Sequence, residues 1–242
     1  MDLLSRTLPK QWVTLGVFIV LMIILISVNG SQLVLMGMFS YFLLVVGMTL
    51  IPIVRMKWEY PIFFHRLIFI MPMYLGWVIF GRHQAPMLEI PAMKIWIFSI
   101  MGVAILLFAG RKELAIAFSS LNLAFSISKT KAAQDIVIAV LTVISEEFLF
   151  RFFLGNMFHF ENYLWTILTV NVLFLVAHYL NRWSTKFTAR VYLLQFILGV
   201  ILSALYFEYH SFVLIVILHF IFNVSQWLPI LIRLAKNNVV TF

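Results

Sequence analysis

Two adjacent carboxylates, a guanidinium, two imidazoles and a carboxamide lie inside long apolar runs of this chain. They are Glu146, Glu147 and Arg151, then His178, then His219 and Asn223. An ionisable group at the bilayer centre costs about 2.5–3.5 kcal/mol even on the lenient insertion scale. Groups that carry such a cost should face one another within a helix bundle. Their types suit acid–base chemistry. A carboxylate in a dry site acts as a base, a second polar group positions a water, and hydrogen-bond donors stabilise a developing negative oxygen.

Spacing sorts the roles further. Glu147 and Arg151 are four apart and share one helical face, which Gly155 continues as a small residue open to close approach by another element. Glu146 points about 100° away, given 3.6 residues per turn. Glu147 and Arg151 alone could be an ion pair that pins helix packing, but Glu146 has no partner on its own helix. Asn171, Phe174 and His178 fall on one face at i, i+3 and i+7. A single histidine near a helix end is more often interfacial than catalytic. His219 and Asn223 are four apart in the middle of an apolar run. They serve equally well as an oxyanion hole or as an interhelical hydrogen-bond pair worth about 0.6 kcal/mol. Gln195, Gly199 and Ser203 repeat every fourth residue and read as a packing seam. His65, His83, His159 and His210 fall in expected loops or at membrane edges, where imidazole costs little.

The elements that must position these groups are membrane spans. The 242 residues are 64% hydrophobic and 11% charged, with a mean hydropathy of +1.06. A soluble domain has about 45–50% apolar and about 25% charged residues. An all-α polytopic bundle is expected, with about 20 apolar residues per crossing. Eight spans are placed near 11–29, 32–54, 66–81, 91–109, 134–158, 162–180, 191–208 and 211–233. The first is read as an uncleaved span rather than a signal peptide, since no small-residue cleavage site follows it. Residues 112–128 read as an amphipathic interfacial segment. Two parts are expected: N-terminal spans with the amphipathic segment over 1–133, and a catalytic core over 134–242.

Net charge is +8, but the basic residues are scattered between apolar runs, which argues for membrane orientation and against nucleic acid. With both termini cytoplasmic, 14 of the 17 Lys and Arg residues fall in inner loops, Arg82 and Lys94 fall outside, and Arg151 is buried. The absence of cysteine excludes disulfides and thiolate catalysis. There is no HExxH zinc motif, no G-x-S-x-G and no phosphate-cradling glycine loop. A transporter with a buried proton relay should show repeats or Gly/Pro-broken helices in matching halves, and neither is evident.

Three segments in order resemble the CAAX protease and bacteriocin-processing (Abi) family of glutamate-dependent intramembrane endopeptidases. They are Glu146-Glu147-x-x-x-Arg151, Phe174-x-x-x-His178 and His219-x-x-x-Asn223, and the resemblance covers about residues 134–225. Where family members often carry a small residue after the arginine, this chain has Phe152. The resemblance implies an endopeptidase in which Glu146 and His178 activate a water. It implies that His219 and Asn223 hold the oxyanion, and that Glu147 and Arg151 support the site. No cofactor is implied. Zinc stands second, because Glu and His are competent ligands but no closely spaced His pair exists. The implied partners are the lipid bilayer and a peptide or membrane-anchored protein substrate, and the implied location is the cell membrane. The competing class is a non-catalytic membrane immunity or regulatory protein on the same scaffold.

Overall fold

The computed structural model describes residues 32–57, 62–80, 85–158, 160, 162–180 and 188–236, with isolated Gly16, Val20 and Ile23. The expected first span, the 181–187 stretch, His83, His159 and both chain ends lie outside the described residues. The described chain is all-helical, with one isolated bridge between Leu88 and Ser211.

Helix α1 (Gln32–Lys57) and α2 (Ile62–Phe80) pack side by side and are followed by α3 (Met93–Ala109). Two short helices, α4 (Arg111–Ala117) and α5 (Ser120–Ala124), come next. Then α6 (Lys129–Glu147) runs without interruption into a π-helical segment (Phe148–Leu154) and a final α turn, α7 (Gly155–Met157). The remaining helices are α8 (Tyr163–Leu180), α9 (Ala189–Tyr209), α10 (Phe212–Phe222) and α11 (Val224–Ala235).

Local sequence explains where several helices begin. Ser119, Ser128, Thr188 and Ser211 are N-caps whose hydroxyls accept from the backbone N–H three residues on. Each satisfies one of the donors that a helix start leaves open. His210 closes α9 in the left-handed region, at φ 48°.

One hydrophobic core joins both halves of the chain. It takes Val34, Met38, Tyr41 and Val45 from α1, a stripe at helical spacing, and Met73 from α2. It then takes every residue of the π segment but Arg151, Phe174 from α8, and Leu198 and Leu202 from α9. The Tyr41 hydroxyl donates to the Leu173 carbonyl at 2.7 Å, tying α1 to α8 across this core. A separate small cluster, Ile127, Ala132 and Ile230, packs α11 against the start of α6.

One expectation from the sequence changes here. The last span, expected as one helix over 211–233, is two helices bent by 65° at Asn223. The eleven residues of α10 extend only about 16 Å at 1.5 Å per residue. The bend frees backbone acceptors, and the Trp227 indole N–H donates to the Phe220 carbonyl at 2.9 Å while its ring stacks on that of Phe220. Among the described residues, length and composition alone give one helix able to cross a membrane, Ala189–Tyr209, or up to three if each bent pair counts as a span. The charged ends of α6, with Lys129, Lys131 and Asp135 at one and Glu146 and Glu147 at the other, keep it outside that measure.

The ends of the helices sort into two groups. Arg190, at the start of α9, donates to the carbonyl of Ala109, at the end of α3. Helix α11 packs on α4, α5 and α6. Residues 109–131, 190 and 224–235 therefore cluster together. Away from them, the backbone N–H of Phe212 donates to Met87 at 3.0 Å beside the Leu88–Ser211 bridge. Helices α4 and α5 are bent by 76° from α3 and bury no residue, as an interfacial segment would be.

Candidate active site

The site is built where α6, the π segment, α8 and α10 meet, with α9 behind them. The change from α to π winding begins directly after Glu147, and every residue from Phe148 to Leu154 is buried. Single π turns inside helices are uncommon and are frequent at functional sites. The turn is packed by aromatic rings: Phe148 lies against Tyr74, Trp77, Phe152 and Phe212. Phe152, the departure from the family pattern, fills space in this packing and is itself buried.

Glu147 and Arg151 are both 0% exposed. Arg151 Nη1 donates to Glu147 Oε1 at 3.2 Å. The same oxygen meets His219 Nδ1 at 2.5 Å. With Glu147 ionised opposite Arg151, that ring nitrogen carries the proton and donates it. Arg151 is further held by Asn171, whose Oδ1 accepts from Nη2 at 3.2 Å, and by the Phe174 ring, 4.6 Å below the guanidinium. A buried charge held on several sides in this way avoids the penalty of an unpaired ion in an apolar interior.

Glu146 is different. It is 8% exposed, and its two oxygens face two imidazoles. Oε1 lies 3.7 Å from His178 Nε2, and Oε2 lies 3.7 Å from His219 Nε2. These distances exceed a direct hydrogen bond, so both carboxylate oxygens keep lone pairs free on this side. His178 Nδ1 is 3.0 Å from the Phe174 carbonyl, which can only accept, so Nδ1 carries a proton and Nε2 is turned toward Glu146. The Phe174 ring sits 4.2 Å from the His178 ring and 6.3 Å from that of His219.

Five of the six residues singled out in the sequence are thus joined by direct contact or by approaches under 4 Å: Glu146, Glu147, Arg151, His178 and His219. Asn223 is not in that contact network. It is half-buried at the C-cap of α10, one turn beyond His219 and at the bend into α11. No three His, Cys, Asp or Glu side chains among the described residues are grouped so as to hold a metal ion.

The structure adds residues that sequence reasoning left aside. Asn171 and Phe174 lie on the face already noted for His178, and both touch Arg151. Ser203, from the stripe read as a packing seam, accepts from Asn171 Nδ2 at 3.0 Å. Gly199 on that stripe is required by close approach, since a Cβ there would lie 2.1 Å from Asn171 Oδ1 and 2.8 Å from Arg151 Nη2. At Gly155 the expected close approach is by the Phe207 ring, 2.9 Å from where a Cβ would sit.

Residues 128–225 match the model of a family described as Type II CAAX prenyl endopeptidase Rce1-like. Comparison with curated proteins and with solved structures gave no match. The matched stretch begins at the N-cap of α6 and ends two residues past Asn223, so it encloses all six residues singled out in the sequence. The family's proteins are integral to membranes, and the match supports protease activity of the CAAX type. Over residues 128–225 this chain is similar to the Rce1-like CAAX prenyl endopeptidases, a membrane protease family.

Proposed function

We propose that the protein is a glutamate-dependent intramembrane endopeptidase that hydrolyses a peptide bond in a short peptide precursor or a membrane-anchored protein. The observation that carries this reading is the Glu146 carboxylate, facing one imidazole Nε2 on each oxygen at 3.7 Å in a nearly closed site. A water held between Glu146 and His178 is within reach of two bases. Its oxygen attacks the scissile carbonyl carbon as its proton passes to Glu146. The carbonyl oxygen becomes the oxyanion, met by Asn223 and by Nε2–H of His219 in its doubly protonated form, whose Nδ1–H stays on Glu147. When the tetrahedral species collapses, the C–N bond breaks and Glu146 returns the proton to the leaving amine. Glu147 and Arg151 hold His219 and take no part in the transfer. In this reading residues 134–242 are the catalytic core and residues 1–133 the N-terminal part, whose helices α1 and α2 pack against it.

The reading includes a multi-pass protein of about eight spans in the cell membrane, with both termini and the cluster at 109–131, 190 and 224–235 on the cytoplasmic side. The scattered basic residues support this orientation. Single cysteines at Lys112 and Lys236 in this cysteine-free chain should react with a membrane-impermeant reagent only after the membrane is opened. Labelling of Lys112→Cys in intact cells would overturn the orientation.

The catalytic test is Glu146→Gln, which preserves shape and removes the base. Cleavage of a fluorescence-quenched prenylated peptide should fall by about 10²–10⁴-fold with normal abundance. A strong chelator should leave wild-type cleavage unchanged; loss on chelation and rescue by zinc would replace the water-activating pair with a metal. Full biological function in Glu146→Gln at normal abundance would instead leave a non-catalytic immunity or regulatory role.

A further inference from the structure

Behind the site runs a chain of polar contacts, part of which, Asn171 and Ser203, the proposed reaction does not use. It starts on α9, crosses α8, the π segment and α6, and ends on His219 of α10. Asn171 is its centre and is fully buried. Both hydrogens of its amide are engaged, one by the Ile167 carbonyl at 2.7 Å and one by Ser203 Oγ at 3.0 Å. A backbone carbonyl can only accept, so the amide nitrogen must face it, and the amide oxygen must then face Arg151. That oxygen takes Arg151 Nη2 at 3.2 Å, leaving Nη1 for Glu147 at 3.2 Å. Glu147 Oε1 in turn takes His219 Nδ1 at 2.5 Å.

Each link fixes the next. A guanidinium is planar and presents its donors in a rigid fork, so fixing Nη2 fixes where Nη1 points. Stacking on Phe174 holds the plane but leaves rotation within it free, and Asn171 removes that freedom. The missing side chain at Gly199 makes room for the pair. We propose that Asn171, anchored by Ser203, is a positioning residue that sets the orientation of the His219 imidazole through Arg151 and Glu147. The inference rests on the peptidase reading for its consequence in catalysis, but its geometry can be read without turnover. Misplacement of a reacting group by about 1 Å costs on the order of 10²-fold in rate.

The experiment uses the full chain in lipid nanodiscs, labelled with ¹⁵N in the histidine rings, with His178 and His219 assigned from single replacements. Asn171→Leu keeps the number and branching of side-chain heavy atoms and removes the acceptor. The His219 ring resonances should shift while those of His178 stay in place. With the prenylated peptide as probe, kcat should fall by about 10–100-fold with KM unchanged. Ser203→Ala, which keeps Asn171 but loosens it, should move the same signals less, and it carries the test if Asn171→Leu does not accumulate. Unmoved His219 signals in a folded Asn171→Leu or Ser203→Ala protein would overturn the inference, as would a loss of cleavage that only tracks abundance. A wild-type protein that cleaves nothing, with His219 still shifting in Asn171→Leu, would sink the peptidase reading and leave the positioning role standing.

Discussion

Glu146 and Glu147 are neighbours in sequence and opposites in setting. The region around Glu147 is closed: a carboxylate with 0% exposure, a guanidinium, an imidazole and a carboxamide, linked at 2.5–3.2 Å. The region around Glu146 is open by comparison, with two approaches of 3.7 Å and no direct hydrogen bond. One step along a helix turns a side chain by about 100°, enough to put one carboxylate into the packed interior and the next into the space between helices. The contrast teaches how a bundle can hold buried charge for two purposes. Glu147 is held in one orientation through Oε1 alone, its Oε2 and Arg151 Nε being buried without a hydrogen-bond partner, whereas the loosely held Glu146 has both oxygens open to a substrate or a water. Active sites place acid and base by giving similar groups different surroundings.

The sharpest way to break the contrast is to neutralise each carboxylate in turn. Glu146→Gln should lose cleavage by about 10²–10⁴-fold while remaining folded, and His178→Ala should act in the same direction. Glu147→Gln should instead lower the yield of folded protein, because it leaves Arg151 charged and buried. If thermal unfolding shows the reverse pattern, the two roles have been exchanged. Arg151→Ala comes next. Removing one partner of a buried ion pair costs about 3–5 kcal/mol. The measurement is folded protein recovered per cell and its unfolding midpoint. A normal midpoint with normal yield would show that Glu147 does not depend on its guanidinium. The smallest expected effect is at Asn223, whose amide makes no contact with the carboxylates. Asn223→Ala should cost about 10²–10³-fold in cleavage if the amide donates to the oxyanion, with little change in yield. An unchanged rate would leave Asn223 as a helix cap at the α10–α11 bend and nothing more.

Much of the site was legible before any coordinates. Charge deep in apolar runs has few physical solutions, so convergence could be anticipated from cost alone. The four-residue spacing from Glu147 to Arg151 required a shared face, and the contact forms even though the backbone there winds as a π-helix. Helix limits at α3 and α9 fall within two residues of those expected from hydropathy and flanking polar residues. The break at Asn223 was not legible. Residues 211–233 sum to a strongly apolar run, and the nearest proline, Pro229, lies within α11, past the bend. The bend is stabilised by a side chain, Trp227, that replaces a lost backbone partner, and hydropathy carries no information about such an exchange. The seam Gln195, Gly199 and Ser203 was visible as a stripe, but its contact with Asn171 was not, because the spacing within one helix does not say what faces it.

By itself the sequence determined that this is a membrane bundle, which residues could not be left facing lipid, and which of them share a helical face. These follow from solvation cost and from the 3.6-residue period, both properties of short stretches of chain. Only the tertiary structure decided that His219 closes on the Glu147–Arg151 pair and that Glu146 faces two imidazoles across an open gap. That choice depends on how α8, α9 and α10 are rotated about α6. The rotation is set by the packing of Phe148, Phe174 and Gly199 against one another's helices, which no local spacing encodes.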